Sequence, residues 1–214
     1  MPVQVVCISR SLAAGGEEIG RGVAERLGFR VMDAEIVHRA AERAGVDPKR
    51  VAETEQHQPL IRRLIAAIAF PGKPGPLPLD CYTATPEAAL AVGQSLEEHL
   101  RALIREVILE VAGEGEAVIV AHAASMALCG YEGALRVLVT APPEVRARRL
   151  VDVAGVSLKE AHAAVRSSDR ERAEYFKRFY DLDEEMHIHY DLVVNTEALS
   201  CERAVATIVA AARS

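Results

Sequence analysis

Val3-Gln4-Val5-Val6-Cys7-Ile8 runs directly into Ser9-Arg10-Ser11-Leu12-Ala13-Ala14-Gly15-Gly16, after which Ile19, Val23 and Leu27 recur at helical spacing. A short β-branched run, a polar loop containing glycine and an amphipathic stretch read as strand, loop and helix, with Gly28 ending the helix. Everything else in the chain is placed by this unit.

Working outward, Phe29 to Met32 is a second brief strand, followed at once by Asp33 and a helical stretch from Ala34 to Ala44 that Gly45 stops. Asp47-Pro48 reads as the cap and first position of another helix. From Gln58 to Thr85 the pattern breaks, because Pro71, Gly72, Pro74, Gly75, Pro76 and Pro78 cannot share a helix or central strand, and a mobile inserted loop is expected. Thr85-Pro86-Glu87 then opens a long helix carrying Leu90, Leu96, Leu100, Leu103, Val107 and Val111 to near Gly113. Ala117 to Ala121 and Leu135 to Thr140 are unbroken apolar strands. A basic helix follows Pro143, Ser157-x-x-Glu160 is a capping box opening a helix from Leu158 to about Phe179, Asp191 to Asn195 is a last strand, and Ser200 caps a closing helix. Continuous apolar strands alternating with helices indicate an α/β fold, a parallel sheet covered on both faces. Val3 to Ile8, Ala117 to Ala121 and Leu135 to Thr140 are expected at its centre.

Half of the 214 residues are apolar and 26% are charged, ordinary values for one well-buried domain. The formal net charge of -6 argues against general nucleic-acid binding, which needs a basic face, so an anionic ligand must meet a local cluster of cations. Met1 opens no charged-then-apolar leader and no apolar run approaches a membrane span, so a cytoplasmic protein without membrane contact is expected. Cys7, Cys81, Cys129 and Cys201 are too scattered for a metal or redox motif and read as reduced thiols, mostly small core residues.

A loop at the carboxyl end of the first strand of such a sheet offers free backbone N–H groups at a helix N-terminus, where anions bind. In the phosphate-loop pattern G-x-x-x-x-G-K-[ST] the lysine reaches the β- and γ-phosphates and the hydroxyl holds Mg²⁺. The aligned residues here are Arg10, Ser11, Leu12, Ala13, Ala14, Gly15, Gly16 and Glu17, so only the second glycine of the pattern is kept. Taken alone, the loop is equally a strand-to-helix turn built of small residues.

Ile8-Ser9-Arg10, Gly15-Gly16-x-Glu18-Ile19, Ala24-Glu25-x-Leu27-Gly28 and Asp33-x-Glu35-Ile36 together resemble the opening of the cytidylate kinase-like family. The likeness continues in order through Val118-Ile119-Val120, Val137 to Ala141 with Pro143-Glu144, Asp169-Arg170-x-Arg172-Ala173-x-Tyr175 and Tyr190-Asp191-Leu192-Val193-x-Asn195-Thr196. It implies one P-loop kinase-like domain over 1–214, with an inserted helical and loop region at about 45–113 that meets the acceptor and a lid at about 155–185. It also implies ATP and Mg²⁺ as cofactors, held by Arg10, Ala13, Ala14, Gly15, Gly16, Glu17 and Glu18. The partner expected is a small-molecule nucleotide, a homodimer is the one protein assembly considered, and no residue is assigned as a direct metal ligand.

Two departures stand out. Cytidylate kinase has a lysine and a hydroxyl residue at the places of Gly16 and Glu17, and the kinase-like relatives often have arginine at the latter, so Glu17 reverses a charge beside the phosphates. Arg10 is the cation able to compensate. Relatives place Gly-Arg where this chain has Ala121-His122, so His122 is read either as a smaller, titratable acceptor contact or as a hydrogen-bonded histidine closing a strand. Asp33 is read as a carboxylate orienting the acceptor or a Mg²⁺-bound water, as a helix N-cap, or as both.

Arg166, Arg170, Arg172, Lys177 and Arg178 share one helical region; of these, Arg170 and Arg172 fall on the family's lid motif and are the candidate catalytic cations, together with Asp33. A solvated face laced with Asp169, Glu171 and Glu174 is the competing reading. As a surface arginine, Arg172 should matter little to folding. Arg146, Arg148 and Arg149 are expected to decorate a helix surface, with Arg146 able to approach a nucleotide. His187-x-His189 lacks a third metal ligand, and Tyr175, Phe176, Phe179 and Tyr180 are packing residues at helical spacing. Phosphoryl transfer from ATP to a nucleoside monophosphate or similar small acceptor is the leading functional expectation. A catalytically impaired nucleotide- or anion-binding regulatory protein of the same fold is the alternative, and an interaction module using the proline-rich insert ranks third.

Overall fold

Five strands form one parallel sheet in the order β2-β3-β1-β4-β5. The computed structural model describes residues 2–45, 86–120 and 123–214, with 86–97 described as helix only. In chain order the elements are β1 (Val5–Arg10), α1 (Gly16–Leu27), β2 (Arg30–Met32), α2 (Ala34–Ala44), α3 (Pro86–Glu114), β3 (Ala117–Val120), α4 (Ala124–Ala127), β4 (Ala134–Thr140), α5 (Pro143–Ala154), α6 (Leu158–Tyr180), β5 (Leu192–Asn195) and α7 (Cys201–Arg213), with a 3₁₀ turn at His187–His189.

The sheet is the α/β architecture expected of its apolar runs, and the three longest of these lie side by side at its centre. β1 pairs with β3 from Val5↔Ala117 to Ile8↔Val120 and with β4 from Val5↔Ala134 to Arg10↔Val139. Strands flanked on both sides and covered on both faces need apolar residues at every position, and Val5 to Ile8 are accordingly inaccessible to solvent. One face carries Cys7, Ile119, Ile36, Leu100, Val107 and Val111, packing α2 and α3 onto the sheet. The other carries Ile8, Val120, Ile19, Val23, Val205 and Ile208, packing α1 and α7. Burying such side chains supplies about 1.5–3 kcal/mol each, and this burial is what chiefly holds the layers together.

Several expectations shift in detail. β1 starts two residues later than expected and runs through Ser9 and Arg10, because β4 continues to pair with both residues. The capping box at Ser157 and Glu160 and the Ser200 cap are both formed. The short helix α4 was not legible, since four residues are too few to show a period. Cys7 is buried as expected but Cys129 is exposed, and Cys81 lies outside the described residues. Outside them too lie the Asp47-Pro48 helix start and the Gln58 to Thr85 insert. Among the described residues no helix is long and apolar enough to cross a membrane.

Candidate functional site

β1 feeds α1 and the chain then moves to β2 on one side of the sheet, whereas β4 feeds α5 and the chain moves to β5 on the other. The carboxyl ends of β1 and β4 therefore form the topological switch point, the crevice in which open α/β sheets bind ligands. Two seams close its floor: Ser11 N–H donates to the Val139 carbonyl over 3.0 Å, and the Ser11 and Thr140 hydroxyls lie 3.1 Å apart.

The loop between β1 and α1 turns through two left-handed residues, Ala13 at φ 59° and Gly15 at φ 83°. For alanine that conformation costs about 1 kcal/mol and persists only where surroundings enforce it. Here the enforcement comes from behind. Arg149 on α5 donates from Nη1 to the Ala13 carbonyl at 3.3 Å and to Thr196 Oγ1 at 2.9 Å, and from Nη2 to the Thr196 carbonyl at 2.7 Å. The Thr196 hydroxyl in turn donates to the Ala14 carbonyl at 2.9 Å. No side chain caps α1, so its first N–H groups have no intrahelical or capping partner, an arrangement that suits an anion.

The front of the loop carries charge. The Arg10 stem lies directly over Gly16: a Cβ there would meet Arg10 Cβ at 2.6 Å and Cδ at 2.9 Å. The position that carries the lysine in the phosphate-loop pattern is thus glycine because Arg10 fills its space. The Arg10 guanidinium ends at Glu17, with Nε 2.7 Å from Oε1, and the two side chains are 25% and 51% exposed. The Nε–H does not point at the carboxylate, leaving Arg10 Nε buried without a hydrogen bond. Their attraction is therefore an ion pair of charges rather than an aligned bond. Glu18 turns elsewhere, beside Cys201 of α7, whose thiol pKa is raised by burial first and by Glu18 second.

On α6 the two motif arginines part company. Arg172 is committed: Nε and Nη2 bind Glu185 at 2.6 and 2.7 Å, Nη1 donates to the Arg10 carbonyl at 3.1 Å, and Nη2 lies 3.4 Å from the Tyr190 hydroxyl. Its guanidinium also stacks 4.7 Å over Phe176. Burial disfavours the Arg172 charge, but Glu185 outweighs it and the pKa stays above the ordinary arginine value. The Tyr190 hydroxyl donates to Glu185, and burial first of all raises its pKa to about 12. Arg170, by contrast, is exposed on the same helix. Arg101 of α3 reaches α6 by stacking over Tyr175 at 4.2 Å and Phe179 at 3.2 Å, so these two helices touch.

Asp33 occupies the N-cap of α2, where its carbonyl accepts from Ile36 N–H at 3.1 Å, but its side chain makes no cap bond. His122 lies outside the described residues. Arg146 corrects the expectation of a surface residue: it is 4% exposed, donates to the Ala141 carbonyl at 2.8 Å and grips Asp169 of α6 through two bonds at 2.9 and 2.7 Å. Arg149 corrects it likewise by reaching under the loop, and of the three only Arg148 stays on the surface. His187 and His189 sit on a 3₁₀ turn, where residues two apart diverge, and His189 Nδ1 accepts from Met186 N–H. Among the described residues no cluster of three or more His, Cys, Asp or Glu could hold a metal ion. A Mg²⁺ bound mainly by phosphates and water needs only one or two carboxylates, and half-exposed Glu17 at the α1 N-terminus fits that demand.

Sequence reasoning missed Arg149, Glu185 and the tethering roles of Tyr190 and Thr196. The last two stand inside a family motif, which was the available signal. Nothing in the sequence singles out Glu185.

The model of the cytidylate kinase-like family matches residues 5–198. A cytidylate kinase from Ignicoccus hospitalis is 34% identical over 105 residues, 49% of this chain and 60% of that protein, so the chain matches less than two thirds of the curated relative's length. Among solved structures, an uncharacterised protein from Eubacterium ventriosum superposes with a TM-score of 0.64 at 14% identity, covering 99% of each chain. A shikimate kinase from Bacteroides thetaiotaomicron gives 0.51 at 17% identity, covering 97% of each. At such identities these two likenesses concern the fold, which is that of the P-loop kinases.

Proposed function

The chain belongs to the cytidylate kinase-like family, and we propose that it binds ATP with Mg²⁺ and passes the γ-phosphoryl group to a nucleoside monophosphate or similar small acceptor. The observation that carries this reading is the uncapped α1 N-terminus at the β1/β4 switch point, with left-handed Ala13 and its neighbour Ala14 held from behind by Arg149 and Thr196. A loop fixed in this way offers backbone donors to phosphate oxygens without reorganising, which is how electrostatic preorganisation assists transfer.

Residues 13 to 18 cradle the β- and γ-phosphates, with Gly15, Gly16 and Glu17 supplying N–H donors and Arg10 a cation. When bound, Mg²⁺ neutralises charge developing on the phosphate oxygens. Asp33, exposed at the end of β2, orients the acceptor, and His122 is assigned a contact to it. Arg170, exposed on α6, is the cation that swings onto the transferred group, while Arg172 holds α6 against β1 and so sets where Arg170 lands. Residues 45–113 form the acceptor region and 155–185 the lid of a single domain that acts in the cytoplasm.

One observation favours the second reading, a nucleotide- or anion-binding regulatory protein: Arg10, the cation on the front of the loop, is already paired with Glu17. Purified protein should therefore be screened for binding and turnover with ATP, GTP and each nucleoside monophosphate in the presence of Mg²⁺. Turnover with one acceptor supports transfer, binding without turnover supports the regulatory reading, and absence of any nucleotide binding refutes both.

A further inference from the structure

We propose that Arg10 does the work of the missing loop lysine and that Glu17 is its stand-in anion, given up to the metal when a Mg²⁺–polyphosphate binds. This rests on the reading of the loop as a phosphate site and says how that site operates.

Three observations lead to it. The Arg10 stem occupies the space that any side chain at position 16 would need, with approaches of 2.6 Å from its Cβ and 2.9 Å from its Cδ to an added Cβ, so a lysine at 16 is excluded while Arg10 stands there. The Arg10 guanidinium ends 2.7 Å from Glu17, beside the uncapped first turn of α1, where a phosphate would sit. Finally, the Arg10 backbone is immobilised, because its carbonyl accepts from Arg172 and β4 pairs with it at Val139. A fixed backbone beneath a side chain held through its Nε by one misaligned ion pair leaves only rotation about the side-chain bonds to redirect the charge.

Glu17 holds the sequence place at which the phosphate-loop pattern puts its Mg²⁺-binding hydroxyl. A carboxylate there repels a bare polyphosphate and attracts one that brings its metal. The exchange keeps charges matched: Arg10 leaves Glu17 for a phosphate oxygen, and Glu17 turns to the Mg²⁺ that the same ligand carries, directly or through its water. Since both partners are part-exposed, the original pair is weak enough to be replaced. The loop should therefore select metal-bound over metal-free polyphosphate more sharply than a lysine-bearing loop does.

Calorimetry with tripolyphosphate and ATP, each in EDTA and in Mg²⁺, tests the exchange without asking for turnover. The wild-type protein should bind the Mg²⁺ complexes at least about tenfold more tightly than the bare anions, as expected when a charge-assisted contact is gained. Glu17→Gln should tighten binding of the bare anions about tenfold and erase the Mg²⁺ preference. Arg10→Ala should weaken binding of both forms by about tenfold or more. Gly16→Lys alone should lower the thermal midpoint through its clash with Arg10, whereas Arg10→Gly with Gly16→Lys, which removes the Cβ 2.6 Å away as well as the stem, should relieve that clash and recover binding. Wild-type binding that Arg10→Ala leaves unchanged, or a Mg²⁺ preference that survives Glu17→Gln, overturns the exchange while leaving the phosphate site standing. No binding of either probe by the wild-type protein removes the phosphate site itself and the exchange with it.

Discussion

The loop between β1 and α1 has a back and a front built on opposite principles. At the back, Arg149 and Thr196 bond the loop carbonyls of Ala13 and Ala14, and Thr140 meets the loop's Ser11, through buried and part-buried hydrogen bonds that hold left-handed Ala13 in place. At the front, Arg10 and Glu17 face one another across a part-exposed, misaligned ion pair. Buried and fully paired polar groups rigidify because losing any partner leaves another unsatisfied. An exposed pair contributes at most about 1 kcal/mol and rearranges freely. One stretch of chain is thus fixed in shape by its rear and adjustable in charge at its front, and the two should respond differently to perturbation.

The largest contrast needs no mutation. Cys7, buried in β1 beneath the loop, has its thiol pushed by burial from 9.0 to about 12, and Tyr190, which supports Arg172 through Glu185, is raised from 10.0 to about 12. Both groups are held in their neutral forms by the fold, so their contribution is fully present below pH 9 and drains away as the pH rises toward 12. Urea midpoints measured across that window should fall steeply, and Tyr190→Phe should flatten the portion above pH 10. A level profile from pH 9 to 12 would show that these groups do not sit in the dry surroundings described.

Arg172→Ala comes next. Sequence made this residue a surface arginine of little weight for folding, but its side chain is 24% exposed and its partner Glu185 only 16%. Removing it strands that carboxylate and frees α6 from the Arg10 carbonyl, which should cost about 3 kcal/mol of stability. Arg170→Ala, in an exposed residue two positions away, should move stability by less than about 0.5 kcal/mol while depressing turnover at least tenfold. Denaturation midpoints and turnover per folded molecule, measured together on both variants, separate the holder from the actor. Equal midpoints would merge them.

Arg149→Met keeps the stem and deletes the three rear bonds, so about 2 kcal/mol should be lost. Polyphosphate binding should weaken with it, because Ala13 is then free to leave its left-handed conformation. If binding is retained at full strength in the folded variant, the rear clamp does not shape the site. The smallest effect is expected at the front, where Glu17→Gln should change the folding midpoint by less than about 0.5 kcal/mol. A large drop there would mean that the pair is structural and the contrast between back and front false.

The sheet was legible because its centre obeys one physical rule: strands buried on both faces are apolar throughout, as Val5 to Ile8, Ala117 to Val120 and Leu135 to Thr140 are. Helix boundaries were legible where capping chemistry writes them locally, at Ser157, Ser200 and Gly28. The turn between β1 and α1 was legible as a location, at the carboxyl end of a central strand, where open α/β sheets commonly bind ligands. Its wiring was not. Arg146, Arg149 and Arg172 share a composition with the exposed Arg148 and Arg170, and only long-range packing decides which guanidinium finds Asp169, Thr196 or Glu185. The direction of Arg10 was equally hidden, although Gly16 had already made room for it.

The back of the loop also carries a consequence for the order in which the protein becomes competent. Ala13 and Ala14 are held by Arg149 and Thr196, and α1 is seated by α7, with Arg213 donating to the Arg26 carbonyl at 2.8 Å. The groups that shape the loop are therefore made up to 182 residues after it. A nascent chain growing on the ribosome holds the loop sequence long before Thr196 is made and cannot lock the loop's geometry until Thr196 has emerged. Contacts of such long sequence separation form late and slowly. The ability to capture a polyphosphate should thus appear only after Thr196 has emerged, when the sheet the loop rests on is already largely assembled.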